Sequence, residues 1–273
     1  MHLAVAARTD VGRVRKGNED TLHADANAFR GIFIVADGMG GHAAGEVASE
    51  MAVEIVTRDL ATLNDLETGD ARDRVSTALR DANRAVFDRT RKELEKTGMG
   101  STVSALLLSD TRYLIGHVGD SRIYLVRDGQ MSQLTRDHSL VQEQVDAGVL
   151  TPEQARRHPQ SNVITRCVGM ADDIDPDVLE GDARMGDCFL LASDGLTGMV
   201  EDRRIQQLLV SRAAPARIVD ALIYEANNNG GNDNITAIVV RVLPQEPPAS
   251  ERDVTPIPPA RNATPTPPAR DDG

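Results

Sequence analysis

Short apolar runs, separated by polar turns, alternate along the chain with longer stretches that have a helical period. Residues 32–36 and 189–192 are uninterrupted apolar runs of strand length, which is typical of buried strands. Between residues 43 and 60, apolar side chains recur every four positions and would form one stripe of a helix. The pattern therefore predicts buried strands and amphipathic helices within one chain.

The predicted elements follow the order strands, two helices, strands, helices, strand. Hairpin signals at Asp110-Thr111 and Asp128-Gly129 join consecutive strands in the middle of the chain. We therefore predict an α+β fold built on antiparallel sheets rather than on parallel βαβ units. Strands are predicted at 3–9, 32–36, 101–108, 113–118, 121–127, 130–134, 162–168, 175–181, 187–192 and 235–240, and helices at 43–60, 72–95, 137–148, 151–158, 202–211 and 214–227.

Acidic side chains stand where several predicted strands begin or end. Asp37 follows the run at 32–36 and precedes a glycine-rich stretch, and Asp194-Gly195 repeats the same arrangement. One Asp-Gly pair after a strand is most often a turn, but the recurrence favours a shared role. No cysteine accompanies these positions, and oxygen ligands alone suit Mg²⁺ or Mn²⁺. The acidic positions are Glu19, Asp20, Asp37, Asp120, Asp194 and Asp233.

Five motifs follow one another along the chain: Arg15-x-x-Asn18-Glu19-Asp20, Asp37-Gly38-Met39-Gly40-Gly41-His42, Gly119-Asp120-Ser121-Arg122, Ser193-Asp194-Gly195 and Asp233-Asn234. Their order resembles that of metal-dependent Ser/Thr protein phosphatases of the 2C type, and the bacterial branch is the closer match. The chain resembles this family over about residues 3–243. The resemblance implies an α-β-β-α sandwich of two antiparallel sheets flanked by helices, and hydrolysis of phosphoserine and phosphothreonine by a water activated between two metal ions.

The resemblance also implies roles for individual residues. Two tight Mn²⁺ or Mg²⁺ ions would share the Asp37 carboxylate, and Arg15 would bind the phosphate through its guanidinium fork. Asp194 and Asp233 would hold one ion, and the Gly38 carbonyl the other, with Glu19 or Asp20 reaching it directly or through water. Asp120 would bind a third, weaker ion together with Ser161 or Asn162 of a flap at residues 146–169, unless it only pairs with Arg122.

The proton donor for the leaving alcohol is open at this stage. Eukaryotic members of the family place a histidine directly after the Asp-Gly pair, whereas this chain has Met39 there and His42 three residues later. The donor is therefore His42 or a metal-bound water. Two other functions also remain open, namely hydrolysis of small phosphate esters or cyclic dinucleotides, and non-catalytic binding of phosphoproteins.

The composition limits which binding partners and which cellular compartment we expect for the protein. The net charge is −12, which argues against nucleic-acid binding. Cys167 and Cys188 lack zinc or C-x-x-C spacing, and no segment is typical of a signal peptide or a membrane span. We expect a soluble, cytoplasmic monomer whose partners are phosphorylated proteins, including a Ser/Thr kinase and its substrates, with no membrane contact.

The composition changes at Pro244, because nine of the thirteen prolines lie in residues 244–273. We therefore predict a catalytic domain at 1–243 and a disordered Pro-rich tail at 244–273. The tail could serve as a docking or phospho-acceptor segment through Thr255, Thr264 or Thr266, or could simply be solvated.

Overall fold

Two antiparallel β-sheets, packed face to face with helices outside, form the computed structural model, which describes residues 2–27, 30–40, 43–109 and 111–244. The strands are β1 (His2–Asp10), β2 (Asp20–Ala26), β3 (Gly31–Met39), β4 (Gly100–Ser101), β5 (Val103–Leu108), β6 (Arg112–Val118), β7 (Arg122–Arg127), β8 (Gln130–Gln133), β9 (Asp177–Asp182), β10 (Cys188–Ala192) and β11 (Ile235–Leu243). The helices are α1 (Ala43–Leu60), α2 (Ala71–Lys92), α3 (Leu140–Asp146), α4 (Pro152–Arg156), α5 (Asp194–Thr197), α6 (Asp202–Val210) and α7 (Pro215–Asn228), with one 3₁₀ turn at Leu94–Lys96.

Each sheet combines strands from early and late parts of the chain. One sheet has the order β1-β11-β10-β7-β8, and the other has the order β2-β3-β5-β6-β9 with β4 paired to β3. Every strand pairing is antiparallel, which confirms the predicted α+β sandwich. The first and last described strands, β1 and β11, lie side by side, so both ends of the domain belong to one sheet.

The uninterrupted apolar run of β3 results from burial on both faces. Phe33 and Val35 belong to the core between the two sheets, whereas Ile34 and Ala36 pack with α1 and α2 on the outer face. Successive strand residues point to opposite faces, so both sets must be apolar when both faces are covered. A third apolar cluster joins α6 and α7 to the other sheet.

Most predicted elements occur within a few residues of their predicted bounds, and the predicted helix at 43–60 coincides with α1. The strand predicted at 162–168 is wrong: Ile164 and Val168 make only single bridges, to Ser139 and Ser101. The segment crosses from one element to another, so no continuous ladder can form along it.

Other differences lie at element ends. The prediction missed β2 and α5, and the predicted strand at 101–108 is interrupted at Thr102. The helix predicted from residue 137 begins at Leu140, because Ser139 is its N-cap and accepts a hydrogen bond from the Gln142 N–H. Asp128 and Gly129 both have positive φ, 52° and 78°, as the predicted tight hairpin requires.

Two predictions concern segments that the structure leaves out wholly or in part. Asp110 of the other hairpin signal and residues 245–273 of the Pro-rich tail lie outside the described residues, so the boundary at 243 stays a prediction. Among the helices that are described, none combines the length and the apolar character needed to cross a membrane.

We predict that Gly116→Val will lower the free energy of unfolding by about 1–3 kcal/mol, the usual cost of overpacking. A Cβ at Gly116 would lie 2.6 Å from both Leu79 Cδ1 and Val75 Cγ1, where β6 packs against α2. Urea denaturation measures the change. Gly69→Val is the control, since a Cβ at Gly69 meets nothing within 4 Å. Equal unfolding midpoints for the two variants would contradict close packing of α2 on β6.

Candidate metal centre

The pairing of β2 with β3 brings two carboxylates of the predicted site together. Asp20 is the first residue of β2 and lies directly opposite Asp37 in the register of the two strands. Opposed residues of an antiparallel pair have their Cβ atoms about 4.5–5.5 Å apart and on the same face. The Gly38 N–H donates to the Glu19 carbonyl at 3.0 Å, which continues the pairing beyond Asp37. The motif at residues 18–20 is therefore fixed against the Asp-Gly motif by backbone bonds.

The second sheet supplies the other acidic positions at the same end of the sandwich. Asp194 follows β10 and Asp233 precedes β11, and these two strands are antiparallel neighbours. The Ser193 hydroxyl donates to Asp20 Oδ2 at 2.8 Å, and the Thr236 hydroxyl donates to the same oxygen at 2.6 Å. One oxygen of Asp20 thus connects its own sheet to β11 and to the residue that follows β10 in the other sheet.

Three carboxylates of the cluster each have one buried oxygen without a hydrogen-bond partner. In the described part of the chain these oxygens are Asp20 Oδ1, Asp120 Oδ1 and Asp194 Oδ1. Buried polar atoms in proteins are nearly always paired, so an unpaired cluster indicates a missing ligand. Bare carboxylate oxygens are the donors that Mg²⁺ and Mn²⁺ prefer, and the residues therefore fit these ions.

The carboxylates do not by themselves form a complete set of metal ligands. Across the described ranges, no three Asp, Glu, His or Cys side chains already converge as a metal-coordination shell. Asp37 and Asp194 lie close enough for each carboxyl group to affect the pKa of the other. The pair spans the two sheets, and both side chains are half-buried.

Burial and mutual repulsion oppose ionisation of these groups. Burial raises the pKa of Asp20 to about 7. Burial, together with the charges of Asp20, Asp194 and Asp120, raises the pKa of Asp37 well above its usual range. Burial likewise raises the pKa of Asp120 and Asp194, with their acidic neighbours adding to the effect. A divalent cation bound among these oxygens would favour the ionised form of each carboxyl group, because its positive charge offsets their mutual repulsion.

Arg15 and Asp233 form the solvent-facing rim of the cluster. Arg15 Nη2 lies 2.6 Å from Asp233 Oδ2, and the two side chains are 48% and 33% exposed. The loop that carries Arg15 is fixed by the Gly231 carbonyl, which accepts the Arg13 N–H at 2.7 Å. A cation therefore lies at the solvent-facing rim of the cluster.

Close backbone approach explains the glycines at Gly38 and Gly45. A Cβ on Gly38 would collide with the Gly45 carbonyl of α1 and would lie 2.6 Å from the Glu19 carbonyl oxygen. A Cβ on Gly45 would lie 2.6 Å from Glu19 Oε2. The Glu19 side chain thus lies against the first turn of α1, close to the backbone of Gly38.

Asp120 lies in a turn that His138 holds by two hydrogen bonds. The His138 N–H donates to the Gly119 carbonyl at 2.8 Å, and the Gly119 N–H donates to His138 Nδ1 at 3.1 Å. Arg122 binds Asp137 with both carboxylate oxygens, at 2.7–3.1 Å, and makes no hydrogen bond to Asp120. The alternative in which Asp120 only pairs with Arg122 is therefore wrong, and His138 has the structural role that a solitary histidine usually has.

A cavity of about 480 Å³ separates Asp120 and Asp194 from α3, α4 and the flap segment at 146–169. Ser161 and Asn162 both line this cavity, as do the two carboxylates. The side chain that the sequence predicted as a weak ligand thus faces the same space as Asp120.

Arg156 is a connecting residue that the sequence analysis missed. Its Nη2 donates to the carbonyls of Thr197 and Val200 at 2.8 and 2.7 Å, which fixes α4 of the flap to the end of α5. Asp194 is the first residue of α5, so this contact joins the flap to a carboxylate of the cluster. Nothing in the sequence distinguishes Arg156 from its neighbour Arg157, because its hydrogen-bond partners are backbone carbonyls and its ion pair, with Asp202 Oδ1 at 3.5 Å, joins residues far apart in the chain.

Comparison with known proteins identifies the family. The model described as "Protein phosphatase 2C" matches residues 13–237 of this chain. The chain belongs to the protein phosphatase 2C family. All of the acidic positions discussed above lie within the matched range.

Curated relatives of this 2C-family chain come from bacteria. The protein phosphatase PhpP of Streptococcus pneumoniae is 40% identical over 244 residues, which are 87% of this chain and 97% of that protein. The serine/threonine protein phosphatase PstP of Mycobacterium tuberculosis is 41% identical over 242 residues, 88% of this chain. The match covers only 45% of the length of PstP, so the chain spans about half of that relative.

Solved structures share the 2C-family sandwich. The M. tuberculosis phosphatase PstP/Ppp superposes with a TM-score of 0.80 at 40% identity and covers 89% of this chain and 99% of that one. Its catalytic domain, solved in complex with two manganese ions, gives a TM-score of 0.77 at 40% identity, with the same coverage of both chains. Metal binding by that relative agrees with the unpaired carboxylate oxygens of this protein.

The 2C-family fold gathers the predicted site residues that the structure describes. Asp20 and Asp120 are buried, Asp37 and Asp194 are half-buried beside them, and Asp233 and Arg15 lie at the rim. Glu19 and Gly38 meet beside α1. His42, the predicted catalytic histidine, lies outside the described residues, so its role stays a prediction.

We predict that excess Mn²⁺ will raise the melting temperature of the wild type by about 5–10 °C, because saturating ligand adds about 3 kcal/mol to a domain of this size. Asp37→Asn should lose most of this shift, since it removes the carboxylate at the centre of the cluster. Differential scanning calorimetry with and without Mn²⁺ measures it. Asp25→Asn, on the exposed part of β2, is the control. Equal Mn²⁺ shifts for both variants would contradict a metal site at Asp37.

We predict that Arg156→Ala will loosen the flap without unfolding the domain. Two hydrogen bonds from a charged donor are lost, so amide exchange in α4 should accelerate about tenfold or more. Hydrogen-exchange mass spectrometry of residues 151–162 measures the effect, with Arg157→Ala as the neighbouring control. Unchanged exchange in Arg156→Ala would show that α4 is held by other contacts.

Proposed function

We propose that this protein is a metal-dependent protein phosphatase that hydrolyses phosphoserine and phosphothreonine in other proteins. The observation that carries the proposal is the cluster of buried carboxylates with unpaired oxygens at the meeting edge of two sheets, beside a solvent-facing arginine. The names of the relatives, PstP and PhpP, support the same activity. The reaction is transfer of a phosphoryl group from a side-chain oxygen to water.

The chain offers ligands for two ions of Mn²⁺ or Mg²⁺ and for a third, weaker one. Asp37 lies between the acidic positions of the two sheets, so it would be shared by the two tight ions. Asp194 and Asp233 would complete one ion's protein ligands, and the Gly38 carbonyl, with Glu19 or Asp20, those of the other. Asp120 would serve the third. When bound, such ions lower the pKa of water and supply positive charge toward phosphoryl oxygens.

Arg15 would orient the phosphoryl group. A guanidinium has five N–H donors, and in this structure Arg15 uses one nitrogen for Asp233. The rest of the fork remains available to two phosphoryl oxygens at once. Binding there places the phosphorus beside Asp233 and, behind it, the buried cluster.

Asp20 has a supporting part in this proposal. The Ser193 and Thr236 hydroxyls hold one of its oxygens, which fixes the other toward the cluster. Asp20 would therefore act through water or as a direct ligand without changing its orientation. The proton for the leaving alcohol would come from His42 or from water, as the sequence analysis left it.

We further propose the setting that the sequence predicted. The substrates would be phosphorylated proteins, among them a Ser/Thr kinase and the targets of that kinase, in the cytoplasm, and the protein would act as a monomer. The negative net charge of −12 supports recognition through local cations rather than through the overall field of the molecule.

Phosphate release tests the function. The protein with Mn²⁺ should release phosphate from phosphothreonine and phosphoserine peptides and from p-nitrophenyl phosphate, and chelation should abolish all three activities. A turnover limited to small esters would support the small-substrate alternative. Phosphopeptide binding without any turnover would support the non-catalytic alternative, and either result would overturn the proposal.

We predict that Arg15→Ala will raise the KM for phosphopeptides about 10- to 100-fold, since a charge-assisted contact to phosphate is worth about 1.5–3 kcal/mol. Steady-state kinetics with a phosphothreonine peptide measures it. Lys16→Ala removes a positive charge from the neighbouring exposed position and is the control. Unchanged kinetics in Arg15→Ala, for peptide and for small ester alike, would remove Arg15 from the site.

A further inference from the structure

We propose that the groove between β1 and α7 binds an acidic segment of the phosphoprotein substrate, a few residues away from the phosphorylated side chain. The inference rests on the proposed phosphatase function and adds a specificity site to it. None of the sequence motifs includes the groove, and none of its residues belongs to the carboxylate cluster.

The groove is a cavity of about 530 Å³ on the outer side of the first sheet. One wall comes from the end of β1 and the loop after it, and the other from α7. Its charged lining residues are Arg8, Asp10, Arg13, Arg217 and Asp220.

The helical wall has a regular spacing. Arg217, Ala221, Tyr224 and Asn227 of α7 line the groove and follow one another at intervals of three or four residues, so they share one face of the helix. Ten residues separate Arg217 from Asn227, which corresponds to about 15 Å along the axis at about 1.5 Å per residue. An extended peptide rises about 3.3 Å per residue, so four or five residues would fill this length.

One end of the groove adjoins the phosphate position. A Cβ on Gly231 would contact Arg13 Cγ at 2.7 Å and Asn227 Oδ1 at 2.8 Å, so these two side chains meet over the loop that leads to Asp233. Arg13 is two residues before Arg15, which limits their Cα separation to about 7 Å. A peptide with its phosphate at Arg15 can therefore continue past Arg13 and along α7 toward Arg217.

The charges of the groove are unevenly compensated. Arg8 lies 3.1 Å from Asp220 and 3.5 Å from Asp10, so it serves both carboxylates of the groove. Arg13 and Arg217 have no ion pair or side-chain hydrogen bond within the part of the chain that the structure describes, and both side chains are exposed. Three arginines against two aspartates leave the groove with one positive charge in excess, on a chain with a net charge of −12.

Two further features suit a peptide rather than a small anion. Tyr224 is 65% exposed at mid-groove and offers an aromatic surface to the aliphatic part of a bound segment. Asn227 Oδ1 is buried and has no hydrogen-bond partner among the described residues, so it can accept a bond from a donor that enters there. Acidic side chains match the two arginines, and the spacing of the arginines matches several residues rather than one.

The test compares matched phosphothreonine peptides. One series carries Asp or Glu at three to five positions from the phosphothreonine, on either side, and the reference peptide carries Gln at those positions. The wild type should hydrolyse the best acidic peptide with a kcat/KM about fivefold higher, since two exposed ion pairs contribute modestly, and salt should reduce the preference. The difference should lie in KM.

Substitutions locate the effect. The double variant Arg13→Ala/Arg217→Ala should lose the preference and keep its turnover of the Gln peptide and of p-nitrophenyl phosphate. Arg184→Ala, at an exposed turn before β10, is the control and should keep the preference. The charge reversal Arg13→Glu/Arg217→Glu should instead favour peptides with Lys at the same positions.

The outcomes separate this inference from the proposed function. Equal kcat/KM for acidic and Gln peptides in the wild type, or an acidic preference that survives in both double variants, would overturn the groove while leaving the phosphatase intact. Absence of turnover with every peptide and ester would instead overturn the proposed function. Loss of the preference in the arginine variants alone, with inverted preference on charge reversal, would establish the groove.

Discussion

The concentration of acidic groups at one partly buried edge of the sandwich is the constraint on which the rest of this structure depends. Asp20 and Asp120 are buried, Asp37 and Asp194 are half-buried, and desolvation raises the pKa of each. Such groups would separate if the backbone could move. They stay together because Asp37 lies near the end of a strand that is buried on both faces and Asp20 is paired with it in register.

The same constraint explains why the site lies between two sheets rather than within one. Each sheet supplies carboxylates from strand ends, and the hydroxyls of Ser193 and Thr236 tie the two sheets through one oxygen of Asp20. The sandwich thus works as a rigid frame whose open edge holds the polar groups. The loops that contribute to the site are short segments fixed by backbone hydrogen bonds. The loop at 11–19, for example, donates the Arg13 N–H to the Gly231 carbonyl.

That loop also relates the carboxylate cluster to the surface around it. Arg15 lies on its inner side at the rim of the cluster, and Arg13 lies on its outer side in the groove against α7. On the other flank, Arg156 fixes the flap to the helix that begins with Asp194. The acidic cluster is therefore flanked by arginines from the loop at 11–19 and from α4. Each of these arginines lies close to backbone that carries one of the carboxylates.

The sequence by itself determined the elements whose signal is local. The apolar run at 32–36, the four-residue period at 43–60 and the Asp128-Gly129 turn each depend on neighbouring residues alone, and each has its counterpart in the structure. The order of the motifs was enough to indicate the family and the acidic positions. The short strand β2 was missed because half of its residues face solvent, and the strand expected at 162–168 failed because its apolar residues bridge to separate elements.

Only the tertiary structure decided which of these residues come into contact and which hydrogen bonds they form. Asp20 received its two hydroxyl partners from strands that are more than 170 residues away in sequence. Arg122 turned to Asp137 rather than to Asp120, and Arg156 found carbonyl partners that carry no sequence signature. The groove against α7 likewise joins the end of the first strand to the last helix. Contacts between distant segments, and contacts to backbone atoms, have no local pattern, so strand register and helix packing had to place them.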